Sequence, residues 1–394
     1  MRRKDRVKLP KDTFFQFKFK HHINYFIVLA LFAVALILDF TMPRIQSNRD
    51  LFVQISYNVI LAVSLNIVVG LLGELSLGHA GFMCVGAYIG GYIGNLLLPV
   101  IPNKIIVIII AMIGAGIAAA LAGLVIGFPT LRLKGDYLAI STLAFGEIIR
   151  NIFKNLPFFG KALGLETTYY GKKLYIIAVV AMFITVVLAQ NLQKSPHGRA
   201  IQAIRDSEIS AKAMGVNATY YKLVAFVIGA FFAGVAGALY ANNVSPVRDT
   251  TFNVDKSIEI LVMVVLGGMG NLTGSILSAA SITFINVKLD TILTGDAASI
   301  KKILYAAILI AIVIWGNAPA LRGLRDRFNI TKLWMLFNNK LPHDKRADAE
   351  PPSTASWDKI PTKINMDAII STDLTPDDNN DNSTHDPDRK PEAK

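Results

Sequence analysis

Between Lys104 and Arg132 the chain reads IIVIIIAMIGAGIAAALAGLVIGFPTL without a charged residue. A helix that is apolar all round has to be buried, in protein or in lipid. About 20 mostly apolar residues suffice to cross a bilayer, and this stretch has the length. Comparable runs recur at about 23–40, 51–72, 77–98, 104–127, 137–156, 173–192, 222–241, 256–268, 271–287 and 302–316. Inside lipid the backbone must satisfy its own hydrogen bonds, which such runs do as helices. The pattern predicts an all-α polytopic protein of the lipid bilayer with about ten transmembrane helices. The eighth and tenth runs are short and charge interrupts the fifth, so eight or nine spans is the alternative.

Charge placement supports this reading. Only 17% of the 394 residues are charged and 53% are hydrophobic, against about 25% charged in a soluble domain. The net charge is +12, but residues 341–394 hold 12 acidic and 7 basic side chains, so the excess of Lys and Arg lies upstream. It sits in short loops between apolar runs, which the positive-inside rule explains better than nucleic-acid binding does. Starting from a cytoplasmic N-terminus, the loops 128–136 and 193–221 and the segment after Trp315 fall inside. They carry Arg132, Lys134, Lys194, Arg199, Arg205, Lys212, Arg322, Arg325 and Arg327. Ten spans return the C-terminus to the cytoplasm.

The basic lead before Ile23 is long, and no small-residue cleavage site follows the first run, so that run reads as an uncleaved helix. The domain reading is a basic cytoplasmic arm (1–22), a transmembrane domain (23–316), a basic juxtamembrane segment (317–340) and a tail (341–394). The tail's Pro, Asp, Asn and Ser content predicts disorder. Cys84 is the single cysteine and the six histidines show no ligand spacing, so the pattern offers no disulfide or metal site.

Glycine and alanine recur inside the runs, as in IGAGIAAALAGLVIG (Ile113–Gly127) and IGAFFAGVAGALYA (Ile228–Ala241). Small residues at helical spacing let membrane helices approach closely. GELSLG (73–78) and GNLTG (270–274) form a short internal echo, each between an inward and an outward run.

Four stretches carry residues that a plain bundle does not need. SPHGRAIQAIRDSEISAKAMGV (Ser195–Val216) is polar between two apolar runs. Ser195 is placed to cap a helix with Pro196 in its first turn, Asp206 or Ser207 a second one, and Gly215 is placed to end it. The first helix gathers Ala200, Ile201, Ala203 and Ile204 on one side. Such a small-sided face suits a protein groove better than lipid, where bulky residues are expected. An ordinary surface loop is the plainer reading.

In GELSLGHAGF, Glu74, Ser76 and His79 sit among glycines at a membrane boundary, either in headgroup water or lining a polar path. In LRLKGDYLAISTLAFGEIIR, Glu147 and Arg150 are three apart and can pair on one helix face, near Thr142. They either satisfy each other or contact a zwitterionic solute. In SIEILVMVVLGGMGN, Glu259 lies in an apolar run and the glycines predict a helix break. No GxxxxGK[ST] pattern occurs, so if transport is ATP-driven another chain hydrolyses the nucleotide.

Together, GELSLGHAGFMCVGAY, LRLKGDYLAISTLAFGEIIR, the insert with the YYKLVAFVIGAFFAGVAGALYA that follows it, and SIEILVMVVLGGMGNLTG resemble the LivM-type permeases of branched-chain amino acid ABC importers. The resemblance runs from about Tyr57 to Gly316. It implies that the insert docks on the cytoplasmic ATPase through Gly198, Arg199, Ala200, Ala203, Ile204, Arg205, Glu208, Ala211, Met214 and Gly215. It also implies two ATP-binding subunits, a second, LivH-type permease and an extracytoplasmic amino-acid-binding protein, with no cofactor and no catalysis on this chain. Glu74, Ser76, His79, Thr142, Glu147, Arg150 and Glu259 are the candidate path residues. The acidic tail departs from the family pattern, and the long basic arm suits anchoring on anionic lipid. A urea or short-amide permease and an ion-driven secondary transporter are the alternatives. The insert argues against the latter, which needs no docking element.

Overall fold

The computed structural model describes residues 46–292 apart from 134 and 168–173. The expected first and tenth spans, the arm 1–22, the segment 317–340 and the tail 341–394 lie outside the described residues.

Helix α1 (Gln46–Asn66) continues into a π-helical turn (Ile67–Leu72) that stops at Gly73, whose φ of +82° suits glycine. After a loop come α2 (His79–Leu97), α3 (Lys104–Thr130), α4 (Asp136–Asn155) and α5 (Leu174–Lys194). The insert forms α6 (Pro196–Asp206) and α7 (Glu208–Ala213). Then follow α8 (Ala218–Asn243), α9 (Val254–Gly267) and α10 (Leu272–Ile292). Among the described residues there is no strand, only an isolated antiparallel pairing of Leu165 with Val247.

Helix α1 is the hub. It is buried on every side along most of its length, and Val59, Ile60, Leu61, Ala62 and Val63 are all fully buried. Helices α5, α8, α9 and α10 pack around it. Helix α3 shows the opposite pattern. Val107, Ile108, Ala111, Ala115 and Ala119 form a buried stripe at helical spacing, while Ile113, Ile117, Leu121 and Leu124 stay exposed. An apolar outer face of that kind is the lipid-facing side of a membrane bundle.

The alanine- and glycine-rich runs make the tightest contacts, as their spacing predicts. A Cβ on Gly123 of α3 would lie 2.6 Å from Ala230 Cβ of α8, and one on Gly90 of α2 would lie 2.7 Å from Ala238 Cβ. Gly86 and Gly234 meet backbone to backbone. The energy here is van der Waals contact, which only small residues permit at this separation.

Among the described residues, six helical stretches are long and apolar enough to cross a membrane. The expectation of ten is not reached there. Helix α4 carries Asp136, Glu147, Arg150 and Lys154, and α9 has 14 residues. At 1.5 Å per residue α9 is about 21 Å long, short of a hydrocarbon core of about 30 Å.

Candidate functional site

The insert forms for local reasons. Ser195 Oγ accepts the Gly198 N–H at 3.0 Å with Pro196 at the first position of α6. Ser207 Oγ accepts the Ser210 N–H and starts α7. Gly215, at φ +83°, turns the chain, and Asn217 caps α8.

The insert is not a free appendage. An Arg205 N–H donates to the Gly70 carbonyl, left open at the end of the π-turn. Asn66 Oδ1 accepts the Gly270 N–H at 2.8 Å, and the Gln193 amide donates to the Gly270 carbonyl at 3.3 Å. The π-turn that precedes GELSLG and the GGMGN break therefore meet at one point, and the insert is hydrogen-bonded to it. A Cβ on Gly70 would collide with Asn66 and the Gly270 backbone.

A second tie was not foreseen from the sequence. Lys222 Nζ, in the second turn of α8, lies 2.6 Å from Glu74 and 3.1 Å from Glu208. Its side chain is only 6% exposed. Glu208 also holds Lys212 at 2.7 Å, and this hydrogen bond, with help from Lys222, pulls the Glu208 carboxyl down to about 2. One buried ammonium thus joins the loop after α1, the insert and α8. The Lys222 signal was a single cation in the sequence KLVAFVIGAFF, which helical periodicity alone does not pair with a residue 148 positions away.

Of the residues expected to dock on a partner, Gly198, Ile204 and Ala211 are buried within this chain, as is Ile201. Ala200 is half-buried, while Arg199, Ala203, Arg205, Glu208, Met214 and Gly215 reach the surface fully or in part. Of the small apolar face, Ile201 and Ile204 pack inward while Ala203 stays outside, because α6 folds back on the π-turn and on α5 and α8. Sequence reasoning missed Ile209, which is 84% exposed; Met214 is 85% exposed. Both are large apolar side chains left bare on a polar insert.

The expected path residues divide into three groups. Glu74 belongs to the Lys222 cluster. His79, Thr142 and Ser76 are buried in the bundle: Ser64 Oγ lies 2.8 Å from His79 Nε2, and Thr142 Oγ1 accepts the Leu77 N–H. Ser76 Oγ has no hydrogen-bond partner among the described residues. Glu147, Arg150 and Glu259 lie toward the other end of the bundle. Glu147 and Arg150 pair at 2.6 Å, as their spacing predicts. Arg150 and Lys154 also face the buried Asp249, at 3.8 and 3.3 Å. Glu259 pairs with Lys256 at 3.1 Å, and Lys256 reaches Asn58 of the central helix at 3.1 Å. Asn58, Asp249 and Lys256 went unnoticed in the sequence because each is polar in an otherwise unremarkable context.

Helices broken at facing glycine loops, charges inside the bundle and a water-exposed insert tied to the breaks define a multi-pass membrane permease. The family described as branched-chain amino acid transport system / permease component matches residues 49–313, more than half of the chain. This chain belongs to that family and is a LivM-type permease. It is 31% identical to the high-affinity branched-chain amino acid transport system permease protein LivM of Salmonella typhimurium, over 73% of this chain and 72% of that one. The LivM protein of Escherichia coli is 32% identical over the same shares. The LivH permease of the same Salmonella system is 22% identical, over 55% of this chain and 77% of LivH.

Proposed function

We propose that this chain imports branched-chain amino acids (leucine, isoleucine and valine) across the bacterial cytoplasmic membrane as one half of a permease pair. The second half is a LivH-type permease. Two cytoplasmic ATP-binding subunits drive the pair, residues 193–221 being the docking region on this chain, and an extracytoplasmic amino-acid-binding protein delivers the solute. Both termini are cytoplasmic, and the tail 341–394 is not needed for uptake.

The single observation that carries this reading is the insert. It presents Ile209 and Met214 to water, yet it is fastened by Arg205 and Lys222 to the broken ends of membrane helices. A partner that pulls on the insert moves those ends directly. A permease needs two states and a differential bias between them; docked ATPase subunits supply the bias, and this chain supplies the lever. The half-exposed Glu147–Arg150 pair and the Lys256–Glu259 pair offer both charge signs to a zwitterionic solute at the opposite end.

The test is affinity purification of the tagged chain in mild detergent. Co-purification of nucleotide-binding subunits and a second permease supports the reading, and the associated binding protein is then titrated with leucine, isoleucine, valine and urea. Recovery of the chain alone, with ion-driven uptake in liposomes, overturns it. Tight binding of urea only would keep the assembly and change the solute.

A further inference from the structure

A cleft of 280 Å³ opens between the end of α3, the insert helix α7 and the start of α8. Its wall is apolar, from Phe128, Leu131 and Leu223. Three cations line it, Arg132 and Lys212 at the surface and Lys222 buried beneath them, with one carboxylate, Glu208. Glu208 accepts from both lysines and Glu74 also holds Lys222, so the two lysines are matched by two carboxylates and Arg132 is the net charge of the cleft. Among the described residues Arg132 makes no ion pair; its guanidinium lies 4.9 Å from the centroid of the Phe128 ring. An exposed arginine at the end of a membrane helix, laid over an aromatic face, suits the height of lipid headgroups.

The approach to the cleft is apolar and exposed. Leu121, Leu124, Val125 and Phe128 lead down the outer face of α3 into it. A ligand for this shape has an anionic head and an apolar tail. Basic pockets between membrane helices on the cytoplasmic side are where anionic headgroups bind.

We propose that this cleft seats the headgroup of an anionic phospholipid, with its phosphate toward Arg132 and Lys212 and its acyl chains along the outer stripe of α3. The proposal rests on the reading above only in placing the insert at the cytoplasmic leaflet. A lipid held there braces α3 against α7, so the stiffness of the insert depends on the surrounding lipid as well as on Lys222.

The experiment measures phosphatidylglycerol retained by the full-length, detergent-purified chain after incubation with equal phosphatidylglycerol and phosphatidylcholine. Wild type is compared with Arg132→Gln, Arg132→Lys and Arg199→Gln. The last removes the same charge from the insert end outside the cleft. One cation near a membrane surface is worth a factor of about five in affinity. Arg132→Gln is therefore expected to retain about fivefold less phosphatidylglycerol, with Arg132→Lys and Arg199→Gln within about twofold of wild type. Equal retention by all four proteins overturns the site, as does an equal loss in Arg132→Gln and Arg199→Gln, which marks diffuse charge. Displacement of the lipid by inorganic phosphate alone marks a free-anion site and also overturns it. Loss of amino-acid uptake in reconstituted vesicles, with Arg132-dependent retention intact, faults the importer reading and leaves the lipid site standing.

Discussion

The two ends of this bundle hold their charges differently. At the insert end, the bonds join segments far apart in the chain: Lys222 to Glu74, Arg205 to Gly70, Gly270 to Asn66. At the opposite end, two of the ion pairs are neighbours on one helical turn, Glu147 with Arg150 and Lys256 with Glu259. Local pairs leave their helices able to shift relative to one another without breaking. Long-range pairs do not. The insert end is tied chiefly by such long-range bonds, whereas the opposite end mixes its local pairs with long-range ties of Arg150 and Lys154 to Asp249 and of Lys256 to Asn58.

The largest effect should come from Lys222→Met. It leaves Glu74 and Glu208 facing each other without their buried cation, and stranding a buried charge costs about 3–5 kcal/mol. Thermal unfolding in detergent should drop sharply and uptake should cease, while Lys222→Met with Glu74→Gln should recover part of the stability. A wild-type melting curve for the single variant would break the contrast between the ends.

Gly70→Val comes next. Its side chain has no room beside Asn66 and Gly270, and overpacking costs about 1–3 kcal/mol. Uptake should fail even at temperatures where the protein stays folded, because the π-turn and the GGMGN break are forced apart. Normal uptake would mean that their close approach is dispensable.

At the opposite end Arg150→Ala strands the half-buried Glu147 and leaves Asp249 to Lys154. An unmet partner of this kind costs about 1–3 kcal/mol, and the partial exposure of Glu147 and Arg150 places the cost low in that range. Uptake should fall more than stability does, read as solute affinity against melting temperature. Equal falls in both would make the pair purely structural.

The acid response is smaller. Glu208 titrates at about 2 in the folded protein, below the value of about 4.3 for a free glutamate. Its ion pairs therefore stabilise fully above about pH 4.5, and that stability is lost as pH falls toward 2. Lys212 is half exposed, so its share is about 0–1 kcal/mol. The melting difference between wild type and Lys212→Gln should be present at pH 7 and shrink below pH 4. A difference unchanged by acid would separate Lys212 from Glu208. Smallest in stability is Ile209→Asp, within about 0.5 kcal/mol for a bare surface site, although it should abolish recovery of the ATPase subunits.

Much of this was legible beforehand. The caps at Ser195 and Ser207 are chemistry between residues three apart and the stop at Gly215 is a property of one residue, so the residue types announce them. The Glu147–Arg150 pair and the break at GGMGN are local in the same sense. The inward direction of Ile201 and Ile204 was not legible. A small apolar face on a polar helix fits a partner's groove and the chain's own π-turn equally well, and only the return of α6 onto the bundle chooses between them.

Sequence alone determined that this chain is a helical membrane protein with a polar insert between its apolar runs. Apolar length, glycine position and capping residues act within a turn or two of helix and hold whatever surrounds them. Tertiary structure decided that Lys222 ties the insert to Glu74, that Gly70 faces Gly270, and that a basic cleft opens beside α3. Those contacts depend on how each helix is rotated about its axis and against which neighbour, and in lipid that is set by which small residues let which backbones touch.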